Sequence, residues 1–96
     1  MELFIFARFH AREGEESALA AVLRKQIRFA RGEPGCLTID AYRSTRDPRL
    51  FYIHSRWAGE AAFEVHAELP NTLQFLDRVQ PLIDHPLDVT RARPLG

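Results

Sequence analysis

Apolar residues recur along this chain at two different spacings, and each change of spacing marks a new element. Leu3-Phe4-Ile5-Phe6-Ala7-Arg8-Phe9-His10 is rich in aromatic and branched residues and ends at the turn-like Arg12-Glu13-Gly14, which predicts a strand. From Glu15 the apolar positions Leu19, Val22, Leu23, Ile27 and Ala30 fall three or four residues apart, as one stripe of a helix running to about Gly32. Glu15 and Glu16 stand near its start and Arg24, Lys25, Arg28 and Arg31 near its end, the order that complements a helix dipole. Pro34 cannot donate a backbone hydrogen bond and Gly35 can adopt positive φ, so the helix stops and an extended segment begins.

Two strands follow, joined by the turn Arg46-Asp47-Pro48-Arg49. The first sets Leu37, Ile39 and Ala41 against Thr38, Asp40 and Tyr42; the second sets Phe51, Ile53, Ser55 and Trp57 against Leu50, Tyr52, His54 and Arg56. Helical spacing returns at Ala62, Val65, His66 and Leu69, breaks at Pro70, and resumes through Leu73, Leu76, Val79 and Ile83 in a helix expected to end before Pro86. Alternation over residues 87–93 predicts a last strand, stopped by Pro94.

The order β-α-β-β-α-β implies an α+β fold, a ferredoxin-like sandwich in which one antiparallel sheet carries its helices on one face. Phe4, Phe6, Tyr42, Leu50 and Tyr52 then share the face that no helix covers. Burial is worth about 25 cal/mol per Å² and a ring presents roughly 150–250 Å², so a second copy packed sheet to sheet is the expected cover, giving a homodimer. The space between the other face and the helix bearing His66 is the expected pocket.

Composition narrows the partners. The 96 residues suit one domain spanning 1–96, with a single core. Thirteen acidic and thirteen basic residues cancel, and neither sign forms a run, so no nucleic acid and no membrane partner is expected. Cys36 is the only cysteine and the apolar run near the N-terminus is too short for a signal peptide, which together suggest the cytoplasm.

Several stretches resemble the antibiotic biosynthesis monooxygenase-like family, which includes quinol monooxygenases and belongs to the dimeric α+β barrel superfamily. They are Arg12-Glu13-Gly14-Glu15-Glu16, Glu33-Pro34-Gly35-Cys36-Leu37, the Asp47-Pro48 turn, and Trp57 followed by Ala62-Phe63 and His66. The resemblance covers essentially the whole chain. It implies a homodimer that oxidises a small aromatic or quinol compound with O₂ and no cofactor. The chain departs from the family pattern at three positions: Ser55, Ile39 and Asn71 stand where an acidic residue, a Tyr and a second His are usual. The haem-degrading branch matches less well, because its Asn, Trp and His positions fall on Ala7, His66 and Leu76.

Oxygenation without a cofactor needs an electron-rich phenol or hydroquinone held in a dry slot beside a base that titrates near neutrality. His66 and Trp57 are the candidate catalytic residues, and Ala7, Phe9, Ile39, Phe51, Ile53, Ser55, Phe63 and Asn71 the candidate substrate-binding ones. A histidine on an apolar stripe can equally be structural, and Trp57 can simply close the core. The alternative reading is therefore a non-catalytic dimer that binds or stores a small apolar molecule or serves as an accessory to a larger biosynthetic enzyme. His10, His54 and His85 lie far apart in sequence without metal-ligand spacing, so no metal is expected. Cys36 is expected to be an inert thiol, Asn71 to cap the last helix, and Arg56 and Asp40 to pair with each other or across the dimer.

Overall fold

The computed structural model describes residues 1–96. Its elements are β1 (Leu3–His10), α1 (Glu16–Ala30), β2 (Cys36–Arg43), β3 (Leu50–Trp57), α2 (Glu60–Glu68), α3 (Pro70–Val79), a 3₁₀ turn (Gln80–Leu82) and β4 (Asp88–Ala92). The strands form one antiparallel sheet in the order β2-β3-β1-β4. This is the ferredoxin-like α+β arrangement in the expected βαββαβ order, with the second helical stretch divided at Leu69–Pro70 as the sequence predicts.

Alternation decides what is buried. Leu3, Ile5, Ala7, Phe9, Ile39, Phe51, Ile53, Ser55 and Trp57 are buried beneath the helices, while Phe6, Tyr42 and Tyr52 on the other face are 49%, 52% and 37% exposed. That second face also carries His54, whose ring lies 4.9 Å from Phe6. Nothing in the chain covers it. The core itself is divided into a large cluster, which joins Ala7, Phe9, Ile39, Phe51 and Ile53 to Leu19, Leu23, Phe75 and Val79, and a small one of Leu3, Ile5 and Trp57.

Four local expectations are corrected. Leu37 does not join Ile39 and Ala41: pairing slips from Cys36 opposite Trp57 to Thr38 opposite Arg56, a β-bulge at Leu37 that leaves it 44% exposed. The last helix ends at Val79 rather than near Pro86, because Pro81 lacks the N–H that would continue it. Ile83 is therefore off the helix, and it forms an isolated bridge with Ala11. Asn71 does not cap α3, since Leu69 occupies the N-cap position and no side chain bonds there. Arg56 and Asp40 do not pair with each other: Arg56 lies 3.0 Å from Glu2, and Arg31 donates to Asp40 at 2.9 Å.

Candidate functional site

A cavity of about 230 Å³ lies between the sheet and α2–α3, and it borders both core clusters. β1 and β3 contribute Ile5, Ala7, Phe9, Ile53 and Ser55, β2 contributes Ile39, and the helices contribute Phe63, His66, Ala67, Thr72, Phe75 and Leu76. Leu87 and Val89, at the start of the edge strand, complete the wall with Gln26 of α1.

His66 is the only titratable side chain on the wall. It is buried, at 8% exposure, although α2 is a short helix with a weak apolar stripe. What fixes it is the contact behind it. Its Nδ1–H donates to Glu33 Oε1 at 2.6 Å, and Thr72 Oγ1 lies 3.5 Å from the same nitrogen. A carboxylate can only accept, so Nδ1 carries the proton of this pair, and in the neutral ring the lone pair is on Nε2. Nε2 makes no hydrogen bond within the chain. Phe63 and Trp57 flank the ring, with centroids 5.7 and 4.5 Å away.

Glu33 reaches His66 through the chain reversal after α1. Gly35 has φ +83°, and a Cβ there would meet the Cβ of Ala62 on α2 at 2.5 Å. Only glycine permits this close approach of the β2 entry to α2. The Glu-Pro-Gly sequence thus does more than end a helix: it docks a carboxylate against the histidine.

Seven of the expected side chains, Ala7, Phe9, Ile39, Ile53, Ser55, Phe63 and His66, meet in the cavity wall. Three do not. Trp57 is fully buried behind the wall, where its Nε1–H donates to Ser55 Oγ at 3.0 Å and its ring supports His66. Phe51 packs at the other end of the core, under the Arg43 guanidinium. Asn71 faces an outer groove between α1 and α3.

Sequence reasoning missed Glu33, Thr72 and Gln26. Gln26 carried a visible signal, because it falls on the same helical stripe as the buried Leu19, Leu23 and Ala30. Glu33 carried none, being 33 residues from its partner. Cys36 is half-buried, and its thiol is pushed above its ordinary value by burial and secondarily by the Glu33 charge, against a smaller opposing effect of Arg31. It is a poor nucleophile.

The other histidines are less dispersed than their sequence positions suggest. His10 and His85 both direct Nδ1 at Asp84 Oδ1, at 2.6 and 2.7 Å, and the three potential metal-ligating atoms lie within 4.8 Å of one another. These contacts already engage the groups with each other, and Asp47 Oδ2 lies 3.3 Å from His10 Nε2.

The chain matches the model of the antibiotic biosynthesis monooxygenase family over residues 3–78. It is 33% identical over 91 residues to a Mycobacterium tuberculosis protein named "Putative monooxygenase Rv0793", covering 95% of this chain and 89% of that one. The solved structure of Rv0793 superposes with a TM-score of 0.93 at 30% identity, covering 100% of this chain and 97% of that chain. The crystal structure of PA3566 from Pseudomonas aeruginosa superposes with a TM-score of 0.91 at 28% identity, over 99% of this chain and 95% of the other.

Proposed function

We propose that this chain, which belongs to the antibiotic biosynthesis monooxygenase family, is a cofactor-independent monooxygenase acting on a small aromatic or quinol compound. The observation that carries the reading is His66: buried, held by Glu33 at Nδ1, without a hydrogen-bond partner at Nε2, and part of the wall of an apolar cavity. His66 is the general base and Trp57 a positioning residue that holds its ring. Ala7, Phe9, Ile39, Ile53, Ser55 and Phe63 bind the ring of the substrate.

In this reaction the substrate supplies the electrons. Nε2 takes a phenolic proton, and the resulting anion passes one electron to O₂, giving a phenoxyl radical and superoxide. Their recombination forms a C–O bond at the ring carbon. Protonation of the peroxide by the His66 imidazolium and cleavage of its O–O bond release water. One hydroquinone and one O₂ thus give one hydroxyquinone and one water. The first step separates charge, and the anion is stabilised by the imidazolium that forms beside it, an attraction that the apolar wall strengthens.

The reading includes a homodimer in the cytoplasm, with residues 1–96 acting as one domain. The exposed Phe6, Tyr42 and Tyr52 support the dimer by offering an apolar face that a second copy would cover. The test is oxygen uptake with a panel of hydroquinones in metal-free buffer, comparing wild type with His66→Ala and the more conservative His66→Gln. A general base contributes roughly 10²–10⁴-fold, and both variants should lose activity on that scale. Unchanged turnover removes His66 from the mechanism. Saturable ligand binding with no oxygen uptake on the whole panel leaves the non-catalytic binding protein as the function.

A further inference from the structure

We propose that His10, Asp84 and His85 bind one divalent cation of the zinc class, as a structural clip that lies outside the cavity and takes no part in its chemistry. The fold assembles this set, since no sequence spacing announces it. At the end of β1 the carbonyl of His10 accepts from the N–H of Asp84 at 3.1 Å, and Ala11 bridges to Ile83. Pro81 and Pro86 flank the segment and restrict its backbone, and His85 stands beside His10 with ring centroids 4.6 Å apart. Both rings direct Nδ1 at the same oxygen, Asp84 Oδ1, so two imidazole nitrogens and one carboxylate converge within 4.8 Å.

His10 separates this cluster from an ordinary surface ion pair. Its other nitrogen, Nε2, lies 3.3 Å from Asp47 Oδ2, and Asp47 is itself held, because its Oδ1 accepts from the N–H of Arg49 at 3.0 Å. A neutral imidazole has one N–H, so it can satisfy one of the two carboxylates and must turn a lone pair toward the other. With the proton on Nε2 beside Asp47, the Nδ1 lone pair faces Asp84, and a cation between them turns that repulsion into two bonds. An outer carboxylate that orients a metal-bound histidine is the usual support of such sites. Two imidazole nitrogens with one carboxylate oxygen suit Zn²⁺ and its neighbours, whereas Mg²⁺ and Ca²⁺ prefer oxygen alone. Tetrahedral ligands at about 2.1 Å stand roughly 3.4 Å apart, so admitting the ion requires the Asp84 oxygen to withdraw by less than about 1 Å. The His85 side chain, 67% exposed, is free to follow. Arg8 and Arg49 oppose the ion, the second from 3.8 Å off Asp84 Oδ2, but Asp47, Asp84 and Asp88 outnumber them. A pocket of about 190 Å³ bordered by His10, Asp47 and His85 leaves room for a water as fourth ligand. The ion would tie the segment after the 3₁₀ turn to the end of β1, two residues before Leu87 enters the cavity wall.

The probe is Zn²⁺ alone, titrated calorimetrically into tag-free, chelator-treated protein at neutral pH, with urea unfolding followed in the presence and absence of the metal. One ion per chain should bind with a micromolar Kd or tighter, and the urea midpoint should rise because the ion binds the folded chain preferentially. Asp47→Asn should weaken binding by roughly 10–100-fold, the usual effect of losing an outer partner. His85→Ala and Asp84→Asn each remove a ligand and should weaken it further, abolishing the metal-dependent rise in the midpoint. His85 is largely exposed, so its variant is expected to fold, and its unfolding curve without metal checks this. His54→Ala and His66→Gln, which remove histidines outside the cluster, should leave the affinity unchanged. Binding that persists undiminished in His85→Ala and Asp84→Asn, or that is lost equally in His54→Ala or His66→Gln, would overturn the proposal. So would the lack of saturable binding below millimolar Zn²⁺, which would leave a second ring proton, and no metal, to reconcile His10 with its two carboxylates.

Discussion

Two histidines in this molecule hold a carboxylate at the same distance, and only one of them is equipped for chemistry. His66 and His10 each place Nδ1 2.6 Å from an acidic oxygen, Glu33 in one case and Asp84 in the other. Their side chains are similarly enclosed, at 10% and 15% exposure. The difference lies at the second nitrogen. His10 Nε2 has Asp47 at 3.3 Å and its ring packs against His85, so it is held from both ends. His66 Nε2 has no hydrogen-bond partner, and the His66 side chain lines an apolar cavity. A short His–carboxylate contact is therefore no sign of an active site by itself; a free nitrogen beside a cavity is.

The largest effect should come from deleting the two rings in parallel. His66→Ala is expected to reduce hydroquinone turnover by roughly 10²–10⁴-fold, while His10→Ala leaves it within about twofold. Equal losses from the two variants would end the distinction drawn here. The next effect belongs to Glu33. Outer partners that orient an imidazole command roughly 10–100-fold, and Glu33→Gln should lower kcat on that scale with little change in KM, because the glutamine can orient the ring without stabilising its charge. A loss in KM alone would mean that Glu33 shapes the cavity instead of supporting the base.

Gly35 tests how the His66 site is assembled. Gly35→Ala adds a Cβ that meets Ala62 at 2.5 Å at a backbone φ of +83°. The strain and the overlap together should cost about 2–4 kcal/mol, read as a fall in the urea midpoint at unchanged slope. Because the same approach docks Glu33 on His66, the variant should also lose turnover at temperatures where it is still folded. Full activity there would show that the dyad does not depend on this contact.

The sequence made the frame legible because the frame is periodic. Strand alternation placed Ile5, Ala7, Phe9, Ile53 and Ser55 on the cavity side, and helical spacing put His66 opposite them. What it concealed is not periodic. The bulge at Leu37 is a one-residue slip that no alternation pattern announces, and it reverses the side to which that residue points. Asn71 was expected in the cavity from a family position, yet α3 begins at Pro70 and turns Asn71 outward while Thr72 takes the inner wall. Glu33 and His66 meet only because α1 ends where α2 later packs. Likewise, His10 and His85 are separated by almost the whole chain and become neighbours through β1 and the segment after the 3₁₀ turn. The parts of the site that local pattern could reveal are its apolar walls; the pairing that tunes its base is tertiary.

The smallest effect concerns the surface pair and should touch stability without touching activity. Hydrogen bonds from His10 and then His85 hold the Asp84 carboxyl at about 2, below its ordinary 3.8. Asp47 is lowered as well, first by the backbone N–H of Arg49 and then by His10. A carboxyl whose value is depressed in the folded state favours folding fully above the unfolded value and loses that contribution as pH falls through the folded one. The urea midpoint of the wild type should therefore decline as pH is lowered from about 4 to 2. Asp84→Asn removes the largest of these shifts, so its midpoint should start lower at pH 5 and fall less steeply below 4. Some slope should remain because Asp47 still titrates. His66-dependent turnover at neutral pH should be the same in Asp84→Asn as in the wild type. A variant that keeps the wild-type acid slope would show that the His10 and His85 contacts do not hold Asp84 in solution.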